Sequence, residues 1–411
     1  LYILKDASIK ALIIEESFAG LVEPTREALP HSQIVGLDFT PSGGTVWADC
    51  LSQAQGDSHN PHITLESPLM IVYTSGTTGR PKGAVLTQSA LQWNALNAIH
   101  LHDMTSQDHI LTVLPMFHVG GLNNQTVPAF HCGATVTLHR RFHPDETLKT
   151  ISADRPTITC LVPATLQACL ASPHWEESDF SKLRIIVTGS TTVPQSLCEP
   201  FRALGVSVLE MYGATETGPI AIYQRPDSDF SKVGSTGLPA LHCQVRVVDE
   251  AGNSLPAGES GEVAIKGPSV LFEYWGNEAA TAESLRNGWY HTGDIGYYDE
   301  DGYYFIQDRK KNMIISGGEN IYPAEVERVL YSHSAIQDAA VIGVADEKWQ
   351  EVPVAVIILK ESATVSEDDL FTFMTEQLAR FKVPRRFIFT DELPRNAMGK
   401  IQHFRVKELF G

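Results

Sequence analysis

Short runs rich in β-branched residues recur along the first half of the chain: ALII (11–14), MIVY (70–73), ILTVL (110–114), TVTL (135–138), TITCLV (157–162) and RIIV (184–187). Helically patterned or turn-rich stretches separate them. Such spacing predicts βα units around a mostly parallel, doubly wound sheet. From about residue 243 the pattern changes to CQVRVVDEAGN, GEVAIKG and GYYDEDGYYFI, alternating strands joined by Gly-containing turns, with Asp301-Gly302 as a hairpin signal. This portion should be antiparallel.

A third style begins near Arg309. The strands AAVIGVA and VPVAVIIL are followed by Ser366 and Asp369, a capping box opening a helix with Leu370, Met374 and Leu378 among its apolar residues. That helix should stop before Pro384. The expected architecture is α/β. A large multi-layer N-terminal domain (1–308) has doubly wound sheets and an antiparallel β portion, and a small α+β C-terminal domain (309–411) follows. The stretch PSGGTVWADCLSQAQGDSHNPH (41–62) reads as a loop.

Charge narrows the partners. The 31 Lys and Arg against 49 Asp and Glu leave a net charge of -18, too acidic for a nucleic-acid backbone binder. A hydrophobic content of 43% with 19% charged residues belongs to a globular chain with a large core. No apolar run approaches the ~20 residues of a bilayer crossing, so no membrane span is expected. The six cysteines (50, 132, 160, 169, 198 and 243) form no C-x-x-C pair, which suits free thiols in a reducing cytosol and a cytoplasmic protein. The first segment, LYILKDASIKALIIEES, lacks the features of a signal peptide, and the chain reads as beginning in mid-domain.

YTSGTTGRPKG (73–83) is the strongest local chemical signal. Three glycines, four hydroxyl residues and two cations follow the strand MIVY and precede the helix-like TQSALQWNALNAI. Backbone N–H groups and hydroxyls of such a loop can wrap a phosphate chain, and glycine permits the close approach. Thr74, Ser75, Gly76, Thr77, Thr78, Gly79 and Lys82 are the candidate contacts. It is not a Walker A loop, since no Gly-Lys-Ser/Thr stands at the required spacing.

The string resembles the phosphate-loop signature of the acyl-adenylate-forming (AMP-binding) superfamily, of the acyl-CoA and aryl-CoA synthetase type. Six further segments match that superfamily's motifs in order: LPMFHVGGL (114–122), VTGST (187–191), MYGATETG (211–218), WYHTGD (289–294), DRKKNMIISGGENIYPAEVE (308–327) and PRNAMGKI (394–401). The resemblance implies a reaction that joins a carboxylate to ATP, releases pyrophosphate and passes the acyl group from AMP to the thiol of CoA. In it Tyr212 offers its face to the adenine, Gly213 is a further cofactor-binding residue, and Gly189, Ser190 and Thr191 line the nucleotide at a strand's C-terminal end. Thr215 donates to the α-phosphate. Glu216 ligates the Mg²⁺ that bridges phosphates. Asp294 accepts the ribose hydroxyls, and Arg309 holds ribose or phosphate from the other side.

Lys400 resembles the family's adenylation lysine, bridging the carboxylate and the α-phosphate. The resemblance also implies a mobile C-terminal domain that rotates after adenylation. Lys311 then marks the hinge, and Gly317 and Gly318 the side of a tunnel for the CoA arm. Asn312 stands where many relatives carry an acid. His118 matches a gate between acyl pocket and thiol tunnel, with a satisfied core histidine as the competing reading. The pocket walls, Met116 to Gly121 with Gly189 and Gly213, carry no Arg or Lys, which favours an apolar monocarboxylic acid, fatty or aryl.

The expected activity is an ATP-dependent acid–thiol ligase forming acyl-CoA. The alternatives are delivery of the acyl group to a carrier protein, and a non-catalytic nucleotide-binding fragment. Relatives usually carry roughly a hundred further residues ahead of the point where this chain begins, on the scale of a domain segment. Expected partners are the acid, ATP and CoA; whether the chain forms a homodimer is left open by the sequence.

Overall fold

The computed structural model describes residues 1–56, 59–74, 80–190, 193–396 and 399–411. Two compact units are distinguished: Leu1–Ser89 with Leu271–Glu283, and Ala90–Val270 with Ser284–Gly411.

In the first unit, Ala11–Ile14, Gln33–Gly36 and Thr45–Val46 form a parallel three-stranded sheet. The run MIVY lies elsewhere. It belongs to the strand Pro68–Thr74, which pairs antiparallel with Lys82–Thr87, so the Gly-rich segment joins two strands and not a strand to a helix. The helix Gln88–His102 starts only after that second strand. Residues 41–62 are also less loop-like than expected, because Trp47–Gln53 is helical, with Asp49 in its first turn where the helix dipole favours an anion.

The second unit is built on a seven-stranded sheet in the order Leu238–Pro239, Ile220–Tyr223, Ser207–Gly213, Ile185–Gly189, Ile158–Cys160, His109–Thr112, Thr135–Leu138. The last five are mutually parallel and the first two antiparallel. Side chains alternate across it. Ile110, Ile185 and Leu209 enter one core, while Leu111, Ile186 and Val208 enter the other, so both faces are covered as a parallel sheet requires. Chain order reverses between His109–Thr112 and Ile158–Cys160, and a ligand crevice is expected beyond the carboxyl ends of strands at such a point.

The portion after 243 is antiparallel, with Gln244–Val248, Gly261–Lys266, Trp289–Tyr298 and Tyr304–Arg309 pairing in turn. The connection at Asp301-Gly302 spans residues 299–303. Gly302 takes φ +83° and its N–H donates to Asp299 O at 2.9 Å. The change of style near Arg309 falls where Tyr304–Arg309 ends and the 3₁₀ turn Lys310–Asn312 begins. Beyond it, Ile336–Asp346 and Gln350–Leu359 form a long antiparallel pair, with Arg386–Phe389 added in parallel. The helices Pro323–Tyr331 and Glu367–Thr375 supply Val326, Leu330, Leu370 and Met374 to the core on one face.

The capping box is formed: Ser366 Oγ accepts from Asp369 N at 3.1 Å. The helix ends at Thr375, well before Pro384, yet Leu378 still packs on the core. Among the described residues no helix is long and apolar enough to cross a membrane. Replacing Ser366 with Ala should cost about 1 kcal/mol of local stability. Hydrogen exchange of the amides in Glu367–Thr375 should then quicken about fivefold.

Candidate active site

Two of the parallel strands carry predicted residues at their carboxyl ends. At the end of Ile185–Gly189, Gly189 pairs with Met211, and a Cβ there would stand 2.2 Å from Met211 O. Ser190 follows with φ +73°, a strained value for a residue with a side chain. Thr191 lies outside the described residues, as do Ser75, Gly76, Thr77, Thr78 and Gly79. Next along the sheet, Ser207–Gly213 ends in a tight turn, Thr215–Thr217, in which Thr215 and Glu216 are 8% and 7% exposed. Thr217 Oγ1 ties that turn, accepting from Ala214 N at 2.9 Å and donating to Pro219 O at 2.6 Å. The close return of the chain explains Gly213, where a Cβ would stand 1.7 Å from Pro219 O.

Asp294 is the centre of this region. Its carboxylate, 5% exposed, accepts from the Tyr212 hydroxyl at 2.7 Å and pairs with Arg309 Nε at 2.9 Å. Strand pairing brings this about, since Asp294 and Arg309 are register partners on neighbouring antiparallel strands. Burial and the neighbouring Asp294 charge both push the Tyr212 phenol well above its ordinary value of 10. Asp294 N donates to Thr292 Oγ1 at 3.0 Å, and Thr292 Oγ1 donates to Val263 O at 2.7 Å. Glu262 secures the preceding turn. It accepts from Gly293 N at 3.0 Å and stands 3.1 Å from His291 Nδ1.

Lys400 follows a turn in which Gly399 has φ +75° and Lys400 N donates to Asn396 Oδ1 at 3.0 Å. Burial, then the cation of Arg309, lowers the lysine's pKa from its ordinary 10.5, while Asp294 and Asp308 pull the other way. The C-terminal lysine therefore shares an electrostatic neighbourhood with Asp294 and Arg309. His118 belongs to it too. Its pKa is lowered by burial and by Lys400, and its Nδ1 accepts from Gly120 N at 2.9 Å, capping the turn Val119–Gly121. With Nδ1 committed as acceptor, the neutral ring carries its proton on Nε2.

Lys311 sits in the turn Lys310–Asn312 just past Arg309, and burial lowers its pKa. Asn312 Nδ2 donates to Asp308 Oδ1 at 3.2 Å, a bond that an ionised acid at 312 could not make. Gly317 and Gly318, at φ +60° and +88°, form a two-residue hairpin between register partners Ser316 and Glu319. Positive φ at both positions favours glycine whatever the loop's function. In the first unit, Thr74 pairs with Lys82 in register, closing the Gly-rich segment, and Lys82 Nζ stands 5.4 Å from the centre of the Tyr274 ring.

Three supporting groups escaped sequence reasoning. Glu262 and Thr292 act through strand pairing across 30 residues of chain, and no local spacing reveals it. Among the described residues, the buried Thr188 Oγ1 next to Gly189 has no hydrogen-bond partner, signalled only by its place inside VTGST.

A buried carboxylate held by Tyr212 and Arg309, with Lys400 in its electrostatic neighbourhood, is an arrangement suited to a nucleotide and an anionic co-substrate. The profile of the AMP-binding enzyme matches residues 1–275, and that of the AMP-binding enzyme C-terminal domain matches residues 325–400. The chain belongs to the AMP-binding enzyme family. It is 44% identical over 409 residues to an indoleacetate–CoA ligase of Aromatoleum aromaticum, covering 99% of this chain and 80% of that protein. A feruloyl-CoA synthase of an Amycolatopsis species is 39% identical over 361 residues, 88% of this chain and 74% of the relative. Among solved structures, the anthranilate CoA ligase AuaEII in complex with anthranoyl-AMP superposes with a TM-score of 0.91 at 30% identity, covering 99% of this chain and 79% of that one. The chain is an ATP-dependent acid–CoA ligase of the AMP-forming type.

The Gly213→Ala variant should lose about 1–3 kcal/mol through overpacking. Its thermal midpoint should fall accordingly, while Gly20→Ala, whose Cβ meets nothing within 4 Å, should not lower it.

Proposed function

We propose that the chain activates an apolar aromatic monocarboxylic acid as its adenylate, releasing pyrophosphate, and then transfers the acyl group to the thiol of CoA with release of AMP. The observation that carries this reading is the shared neighbourhood of Lys400, Arg309 and the Tyr212–Asp294 pair. The aromatic preference rests on the names of the relatives and on pocket walls that carry no Arg or Lys.

In this reading the acid's carboxylate oxygen attacks the α-phosphorus and the bond to pyrophosphate breaks. Negative charge accumulates on the phosphoryl oxygens as an anion meets an anion. An oriented ammonium at Lys400 stabilises that charge in a site where water is scarce, an effect worth on the order of 10²–10³ in rate. Thr215 donates to the α-phosphate, Asp294 holds the ribose hydroxyls, Arg309 contacts ribose or phosphate, and Tyr212 offers its face to adenine. Gly189, Ser190 and Thr191 border the nucleotide. The loop from Thr74 to Lys82 is assigned to the phosphate chain.

Magnesium fits the donors present. Glu216 is a single buried carboxylate beside the Thr215 hydroxyl, and Mg²⁺ is commonly held by one or two carboxylates together with substrate phosphates and water. No group of three or more His, Cys, Asp or Glu that could hold a metal occurs among the described residues. Glu216 would hold it, and the ion would neutralise phosphate charge.

For the second half-reaction the C-terminal domain, residues 309–411, pivots at Lys311. Gly317 and Gly318 then line the path of the thiol arm, and His118 gates it from the acyl pocket. A cytoplasmic location suits the acceptor.

The test is acid-dependent ATP–pyrophosphate exchange over paired aryl and aliphatic acids, with CoA and a holo-carrier protein compared as acceptors. Aryl acids and CoA should lead; preference for aliphatic acids or for the carrier overturns the assignment. Lys400→Ala should lower exchange by about 10²–10³ yet spare thioester formation from supplied acyl-adenylate. Lysine must be charged for this work. Because its folded pKa is depressed below 10.5, the charge is complete at low pH and is lost as pH rises through that lowered value. Exchange should therefore fall on an alkaline limb below pH 10.5. Lys400→Arg, charged throughout, should shift that limb upward even if its maximal rate is lower.

A further inference from the structure

The segment bearing Lys400 is held at both ends by buried carboxylates of one helix and strand. On its downstream side, His403 Nε2 stands 2.7 Å from Glu327 Oε1, with side chains 23% and 10% exposed. On its upstream side, Arg395 forms an ion pair with Asp338 and also donates to Gly399 O. Glu327 lies on the helix Pro323–Tyr331, and Asp338 on the strand Ile336–Asp346.

Neither carboxylate is free to follow the loop. Glu327 Oε1 also accepts from Val341 N at 2.8 Å. Asp338 Oδ1 accepts from the Tyr331 hydroxyl at 2.6 Å and from Ala339 N at 3.0 Å. Between the two pins the chain folds on itself: Arg395 and Ile401 form an antiparallel bridge, and Gln402 N donates to Pro394 O at 2.9 Å. Lys400 is thus presented from a short hairpin whose two limbs are fixed to the same floor.

Such pins are an odd way to gain stability. The surrounding packing is apolar, with Ala340, Ile342, Val354, Val356, Leu393 and Val406 beneath the same segment. Buried ion pairs set in such surroundings lose much of their attraction to desolvation, and their best-attested use is to fix one register over others. Burial alone would pull the His403 pKa down, but the contact with Glu327, helped by Asp308, turns the net shift upward.

We propose that His403 and Arg395 are positioning residues for adenylation, clamping the Lys400 hairpin to Glu327 and Asp338 so that the ammonium is presented in one place. The inference rests on the reading of Lys400 given above. Because displacement by about 1 Å can cost on the order of 10²-fold in rate, loosening either pin should be felt at Lys400 before it is felt in folding.

The experiment uses the full chain with His403→Gln, Arg395→Ala, Lys400→Ala and the double variants containing Lys400→Ala. His403→Gln and Arg395→Ala should each reduce acid-dependent ATP–pyrophosphate exchange by about tenfold or more, and leave thioester formation from supplied acyl-adenylate within about twofold. In the Lys400→Ala background neither should cause further loss, since both act through the lysine. Equal loss of both half-reactions, undiminished exchange in both single variants, or losses that add to that of Lys400→Ala would overturn the proposal. Undiminished exchange in Lys400→Ala itself would instead bring down the reading of the site, and the clamp with it. Retained thioester formation from supplied acyl-adenylate is the safeguard against misfolding, because Arg395→Ala leaves the buried Asp338 without its cation.

Discussion

A buried carboxylate organises the site. Asp294 sits in an antiparallel sheet, Tyr212 on the neighbouring seven-stranded one, and Arg309 on the last strand before the C-terminal region. An isolated carboxylate in this setting would be costly, so partner and position are specified together. Removing Arg309 would leave an uncompensated charge, and removing Asp294 would leave a guanidinium and a buried phenol facing each other. The Thr292 and Glu262 contacts matter for the same reason: they fix the turn that aims Asp294, and a misaimed carboxylate would be unpaired.

Arg309, Lys311 and Lys400 bring three cations together beside the carboxylates of Asp294 and Asp308. Burial first, and then repulsion from Arg309, lowers the pKa values of Lys311 and Lys400 against the pull of Asp294. Cations held close together at some cost are poised for an anion, and a nucleotide with its carboxylate co-substrate would relieve that repulsion on binding. His118 fits the same field. Burial and the ammonium of Lys400 keep its ring neutral, which suits a residue that caps a turn and would suit one that moves aside.

Much of this was legible in the sequence, and the failures have physical causes. The parallel strands announce themselves because both faces are buried, making continuous apolar runs such as Ile185, Ile186 and Val187. The strand Lys82–Thr87 was hidden because its first residues double as the end of a Gly-rich loop, so the segment looked like an approach to the helix that follows. Of the predicted site residues, Tyr212, Thr215, Glu216, Asp294, Arg309, His118 and Lys400 fall within one unit. Their motifs carry that information. The supporting shell does not show, because Glu262, Glu327 and Asp338 become neighbours of the site only once strands have paired and a helix has docked.

The glycines separate two kinds of demand that a sequence cannot distinguish. Gly213 and Gly189 are required by backbone approach, where any Cβ would meet a carbonyl oxygen at 1.7 or 2.2 Å. Gly317 and Gly318 are required by positive φ in a two-residue turn, yet they differ from each other. A Cβ at 317 would stand 2.6 Å from the Trp349 ring, while one at 318 meets nothing within 4 Å. At 317 the fold itself excludes a side chain. At 318 only conformation opposes one, and Asn or Asp tolerates that conformation at modest cost. If a glycine at 318 serves the passage of a thiol arm, the need arises from space used during the reaction, whereas the need at 317 is already met in the fold.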